Sequence, residues 1–246
     1  MHRYDERVGH PTETSESPTA QKSRTHHWRL GSPPLVKICG LTRLEDAQLA
    51  IELGADLLGF IFAPSVRAAS ASLVRQLRQA LERTDRSIPP PLFVGVVTDA
   101  EGDLAREAFS LAREGALDGI QYHGSLDRSC LEKLPEDVGR YLVVPLGNEA
   151  DLDAYRLLRE QGEIRILVDA RLGDRRGGTG TVIQEKLLEA LPADTPLWIA
   201  GGLSADNVGA MLRRFPVELI DASSKLESEP GIKDPQKMRA FFNAIA

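Results

Sequence analysis

The feature that most constrains this chain is a repeated alternation. From residue 35 onward, eight short apolar runs occur at 35–39, 57–62, 92–97, 119–123, 141–146, 164–169, 197–200 and 219–222. Runs such as LLGFIF and LFVGVV are continuous rather than alternating, as expected of parallel strands covered on both faces. Between them the apolar residues take helical spacing, for example Leu73, Leu77 and Leu81, then Leu104, Ala108 and Leu111. The last such stretch, 238–245, follows Pro235, a residue suited to the first position of a helix. Eight strands, each followed by a helix, predict a closed (β/α)8 TIM barrel. An open doubly wound sheet is the competitor, but it would usually show a glycine-rich turn after the first strand, where this chain has Cys39-Gly40-Leu41-Thr42. The barrel accounts for residues 35–246 as a single domain.

Residues 1–34 are polar, carry charges of both signs and show no periodic apolar face, so they are expected to form a disordered extension. Asp5, Glu6, Glu13 and Glu16 argue against a transit peptide, and no run approaches the ~20 apolar residues that cross a bilayer. Thirty Lys and Arg against 36 Asp and Glu give a net charge of −6, which offers no basic field to nucleic acid or anionic lipid. Neither is expected as a partner. Two cysteines, Cys39 and Cys130, make no disulfide framework and point to a reducing cytoplasm. With no CxxC pair or His/Cys cluster, no metal site is expected.

In a barrel of this kind the chemistry sits at the carboxyl ends of the strands. Those ends carry Cys39, then Ser65 and Arg67, His123, Asp169, Gly201-Gly202 and Ser223-Ser224. A thiol on the first strand and a carboxyl on the sixth nearly face each other across a ring of eight, an arrangement that suits proton transfer to one bound molecule. Each residue also has a plainer reading. Cys39 can be a small core residue, Asp169 a loop cap, His123 a strand-end side chain bonded to backbone, and Arg67 solvated surface. Cys130 falls in a helical stretch and reads as packing. Three glycine- or serine-rich turns lie at adjoining strand ends: Gly177 to Gly180, Gly201-Gly202 and Ser223-Ser224. Bare glycines let backbone N–H groups approach an anion, so a phosphate site is expected there.

These motifs in order resemble the phosphoribosylanthranilate isomerase family. The likeness runs through KICGLT from Lys37, GADLLGFIF, Ser65-x-Arg67, Gln121-x-His123-Gly124, LVD to Asp169, and GGTG. It continues through AGGL with Asp206-Asn207-Val208, Asp221-x-Ser223-Ser224, Glu227 and PGIKD. The resemblance implies a cofactor-free Amadori rearrangement in tryptophan biosynthesis, acting on a small phosphorylated substrate, by a monomer or homodimer. Asp169 would be the general acid that opens the ribose ring, and Cys39 the general base at the sugar C2′. Lys37, Arg67, His123 and Asp221 would contact substrate, Arg67 through the anthranilate carboxylate. Gly178, Gly180, Gly201, Gly202, Ser223 and Ser224 would hold the phosphate. The assignment asks for an Asp169 pKa above ~4 and a Cys39 pKa below ~8.5. Two other readings stay open: a diverged barrel that binds phosphate without turnover, and a dual-substrate aminoaldose isomerase that also serves histidine biosynthesis.

The chain departs from the family pattern at four places. Lys225 follows the Ser-Ser pair where glycine is usual, raising the question of a left-handed backbone there. Val66 replaces a proline, Tyr122 a leucine, and Ile183 an aromatic residue. Tyr122 and Ile183 are expected to reshape the anthranilate side of the pocket.

Overall fold

Eight parallel strands close on themselves in chain order: β1 (Leu35–Cys39), β2 (Leu57–Ile61), β3 (Leu92–Val97), β4 (Gly119–Tyr122), β5 (Arg140–Pro145), β6 (Ile166–Asp169), β7 (Leu197–Ala200) and β8 (Val217–Ala222). The computed structural model describes residues 33–82, 89–169, 185–192 and 197–245. The expected (β/α)8 barrel is what forms. Most of the expected extension, residues 1–32, lies outside the described residues.

Helices α1 (Leu44–Glu52), α2 (Ala71–Glu82), α3 (Asp103–Arg113), α4 (Arg128–Leu131), α5 (Glu149–Glu160), α6 (Glu185–Glu189) and α7 (Ala205–Arg214) follow strands β1 to β7 in turn. After β8 the chain makes a 3-10 turn (Ser224–Leu226) and a small antiparallel hairpin, β9 (Glu227–Glu229) with β10 (Ile232–Lys233). It ends in α8 (Pro235–Asn243). Asp234 caps α8 by accepting from the N–H groups of Gln236 and Lys237, and Pro235 takes the first helical position, where its missing N–H costs nothing. No helix among the described residues is long and apolar enough to cross a membrane.

Two apolar layers hold this architecture. Outward strand residues such as Ile38, Phe60, Phe93, Ile120 and Ile220 pack under the helices. Inward residues, among them Leu57, Val94, Tyr141, Val143, Leu167 and Leu219, fill the barrel itself. Each fully buried side chain of this size contributes roughly 1.5–3 kcal/mol. The continuous apolar runs follow directly: both faces of every strand are covered.

Register decides which side chains reach the carboxyl mouth. Asp169 pairs with Ala200, Ala200 with Asp221, and Asp221 with Lys37, so these four follow one hydrogen-bonded row across β6, β7, β8 and β1. Cys39 lies two residues beyond Lys37 on the same face, opposite Gly59 of β2. A Cβ at Gly59 would come within 2.7 Å of the Cys39 sulfur and 3.0 Å of its Cα. Gly59→Ala must therefore push β1 away or turn the thiol. Urea unfolding is expected to show a loss of about 1–3 kcal/mol, with turnover falling alongside.

Candidate active site

The strand ends enclose a cavity of about 280 Å³ whose wall includes Cys39, Arg67, His123, Asp169 and Asp221, with Gly201-Gly202 and Ser223-Ser224-Lys225 on it as well. Nearly every expected site residue that falls in the described chain meets there. Gly178 and Gly180 lie outside the described residues. Lys37 is the exception: it is fully buried and does not line the cavity.

The alternation of strand side chains explains its place. Lys37 and Cys39 both point inward, but Lys37 sits one layer deeper. Its ammonium donates to Gln121 Oε1 at 2.7 Å and to Asp221 Oδ2 at 2.6 Å, and the Tyr141 hydroxyl donates to the same Gln121 oxygen at 2.8 Å. Burial works against the Lys37 charge, but the Asp221 carboxylate, with the Cys39 sulfur and Tyr141 beside it, more than offsets that and holds the ammonium well above the usual lysine range. A fixed cation thus lies one layer beneath Cys39, behind the cavity wall. The second Asp221 oxygen, Oδ1, is buried and has no hydrogen-bond partner among the described residues. Burial raises the Tyr141 phenol well above its ordinary value, so it serves as a donor.

Cys39 is 7% exposed and Asp169 4% exposed. The expected lowering of the thiol is reversed. Burial pushes the Cys39 thiol up, and the pull of the Lys37 and Lys233 ammonium groups does not cancel it. Across the mouth, His123 Nε2 stands 3.9 Å from Asp169 Oδ2, and the His123 backbone N–H donates to Val97.

Arg67 is no solvated surface arginine. Its Nε donates to both oxygens of Glu227, at 2.9 and 3.0 Å, and its Nη2 donates to Oε2 at 2.8 Å. The alkyl chain runs against Gly40, whose φ of +73° turns the chain sharply after Cys39; a Cβ there would meet Arg67 Cδ at 3.2 Å. Neither Glu227 nor Lys233 stands out by spacing, because both lie in a short charged segment that reads as loop. Only the likeness of the ordered motifs touches them.

On the facing side, Gly201 and Gly202 have φ of +99° and +69°. Asn207 holds this turn: its Nδ2 donates to the Gly202 carbonyl, and its Oδ1 accepts from the Ser204 N–H at the start of α7. Lys225 sits within the right-handed 3-10 turn, so it asks for no left-handed backbone, and its exposed side chain borders the cavity. Tyr122 corrects another expectation. It lies between inward Gln121 and His123, points outward, and is buried in the layer under the helices, so it does not shape the pocket. Ile183 lies outside the described residues.

A family model described as N-(5'phosphoribosyl)anthranilate (PRA) isomerase matches residues 36–244. The chain belongs to the phosphoribosylanthranilate isomerase family. Among curated relatives, the N-(5'-phosphoribosyl)anthranilate isomerase of Bradyrhizobium diazoefficiens is 37% identical over 219 residues, covering 85% of this chain and 92% of that one. The enzyme of the same name from Rhodospirillum rubrum is 32% identical over 220 residues, covering 87% and 98%. Among solved structures, the phosphoribosyl anthranilate isomerase of Thermotoga maritima superposes with a TM-score of 0.70 at 29% identity, covering 86% of this chain and 98% of that one. A phosphoribosyl anthranilate isomerase in complex with reduced 1-(o-carboxyphenylamino)-1-deoxyribulose 5-phosphate gives 0.67 at 28%, with the same coverage. The Val66 departure from this family's pattern costs the fold little: the side chain is 73% exposed and off the cavity wall.

Proposed function

We propose that this member of the phosphoribosylanthranilate isomerase family converts N-(5-phosphoribosyl)anthranilate to 1-(2-carboxyphenylamino)-1-deoxyribulose 5-phosphate, with Asp169 as general acid and Cys39 as general base. The observation that carries the reading is one cavity with a carboxyl and a thiol on its wall, from strands three places apart around the barrel, and glycine and serine turns beside them.

The steps balance without a co-reactant. Asp169 gives a proton to the ribose ring oxygen as the C1′–O bond breaks, and the anthranilate nitrogen lone pair forms the Schiff base. Cys39 as thiolate takes the C2′ proton, and the electron pair moves toward nitrogen to give the enolamine. Ketonisation then returns a proton to C1′ and removes one from the C2′ hydroxyl. The Lys37 ammonium below Cys39 favours the thiolate electrostatically. Asp221, on the cavity wall, suits a sugar hydroxyl. The positive-φ turn at Gly201-Gly202 and the Ser223-Ser224 turn suit the phosphate, with Lys225 at their edge.

Arg67 is the group for the anthranilate carboxylate. Held by Glu227 along one edge of its fork, it stands on the wall in one orientation. Arg67→Lys keeps the charge but loses the planar fork. Steady-state assays should show KM up by about tenfold, close to 1.4 kcal/mol, with kcat within a few-fold of wild type.

The reading as a whole is tested by adding purified wild-type protein to freshly formed N-(5-phosphoribosyl)anthranilate and following substrate fluorescence. Loss of fluorescence, with rescue of a tryptophan auxotroph lacking this isomerase, is the expected result. Calorimetric binding of the product analogue without turnover would establish the non-catalytic barrel instead.

A further inference from the structure

At the carboxyl end of the barrel's seam, where β8 meets β1, the hairpin of β9 and β10 contacts both strand ends. The hairpin turn is tied to the loop after β1, where the Thr42 hydroxyl donates to the Gly231 carbonyl at 2.5 Å. At its far end the backbone N–H of Lys233 donates to Asp46 Oδ2 of α1 at 3.0 Å. Between these ties the Lys233 side chain, fully buried, enters the seam. Its ammonium has three donors and meets three acceptors: the Cys39 carbonyl at 2.7 Å, the Ser223 carbonyl at 3.2 Å and Glu227 Oε1 at 3.1 Å. Glu227 is the same carboxylate that holds Arg67.

We propose that Lys233 is a positioning residue: its ammonium fixes the thiol-bearing end of β1 against the Ser223 end of β8 and shares one carboxylate with Arg67. The inference rests on the proton-transfer roles given above. Three regions that must face one substrate at fixed separations are thereby tied to one buried point: the base, the serine turn and the carboxylate-binding arginine. An aliphatic side chain would fill the same space without the cost of desolvating an ammonium, so packing alone does not account for the lysine.

The charge reaches the chemistry as well as the geometry. The groups that face the Cys39 thiol are Lys37 on its own strand, Asp221 on β8, Tyr141 on β5 and Lys233 on β10; β2 presents only Gly59. Lys233 itself faces Glu227, Arg67 and Cys39, and burial pulls its ammonium below the usual lysine value while Glu227 works against that. Removing the Lys233 charge takes away one of the ammonium groups that favour the thiolate and leaves Lys37.

Full-length Lys233→Met and Lys233→Arg are compared with wild type for melting temperature, kcat and KM from about pH 6 to about pH 10.5, a range that reaches the raised thiol. Lys233→Met is expected to lose about tenfold or more in kcat/KM at pH 7, with its acid-side limb displaced to higher pH. Lys233→Arg keeps the charge and the wild-type limb, with kcat between the two. A Lys233→Met enzyme within about twofold of wild type overturns the proposal, as does a loss that tracks the fall in melting temperature on an unmoved limb. If Lys233→Met does not fold, Lys233→Arg decides. A planar guanidinium cannot meet three acceptors set around an ammonium, so lowered kcat at unchanged melting temperature supports the proposal and wild-type kcat overturns it. Wild-type turnover measured alongside tests the reaction itself; a null result for Lys233→Met on a working enzyme tests only the lysine.

Discussion

Cys39→Ser is expected to give a folded enzyme with kcat at neutral pH lower by about a thousandfold, within the range of 10²–10⁴ that a positioned base contributes. The change is almost isosteric, so it isolates the proton acceptor. A serine hydroxyl ionises far above any thiol, and a 7% exposed position adds the same burial penalty to either anion. The replacement is expected to cost about 1–3 kcal/mol of stability, because a hydroxyl is less at home than a thiol in an apolar setting. Urea unfolding and ligand binding by calorimetry then separate folding from chemistry. The pH profile supplies the sharper test. Burial holds the wild-type thiol above its ordinary value, so thiolate accumulates only as pH rises, and wild-type kcat/KM should climb on its acid side through that ionisation. Cys39→Ser should lose this limb altogether. A variant within tenfold of wild type, with the limb intact, would assign the base elsewhere.

How far the sequence carried the fold and the site depends on what each residue must satisfy. Strands buried on both faces advertise themselves, and β1, β3 and β7 coincide with their apolar runs. Boundaries moved where polar residues entered the ladder. The structure begins β8 at Val217 rather than Leu219 because Glu218 is accommodated by accepting from the Trp198 indole at 2.5 Å. It begins β6 at Ile166, leaving Ile164 72% exposed. The hairpin of β9 and β10 was illegible, since Glu227 and Lys233 are charged yet buried, and the ion pairs of Glu227 with Lys233 and with Arg67 make that tolerable. Two side-chain placements were available and unread. Two-residue alternation sets Lys37 one layer beneath Cys39, and it turns Tyr122 outward between Gln121 and His123. Charge was the hardest to read. The role of general base asks for a lowered thiol, but the burial of Cys39 depends on how eight strands converge, which spacing along one strand does not report.

The second large effect is expected at Asp169. Asp169→Asn keeps the size and shape of the side chain and removes its transferable proton, so kcat should fall by about a thousandfold while KM changes little. Stability should hold or improve, because the substitution removes a carboxylate that faces the buried Asp221. This variant and Cys39→Ser fail at different bonds, and deuterium at the sugar C2′ tells them apart. With Asp169→Asn, ring opening limits the rate before the C2′ bond is touched, so labelled and unlabelled substrate should turn over alike. With Cys39→Ser, removal of the C2′ hydrogen is itself the slow step, and a full primary isotope effect should appear in kcat. If both variants showed the same isotope effect, the thiol and carboxyl would not divide the two steps between them. His123, 3.9 Å from Asp169, is a nearby side chain, among the described residues, able to take over the donor role. Residual turnover in Asp169→Asn that disappears in Asp169→Asn/His123→Asn would then identify the substitute acid and leave the division of steps intact.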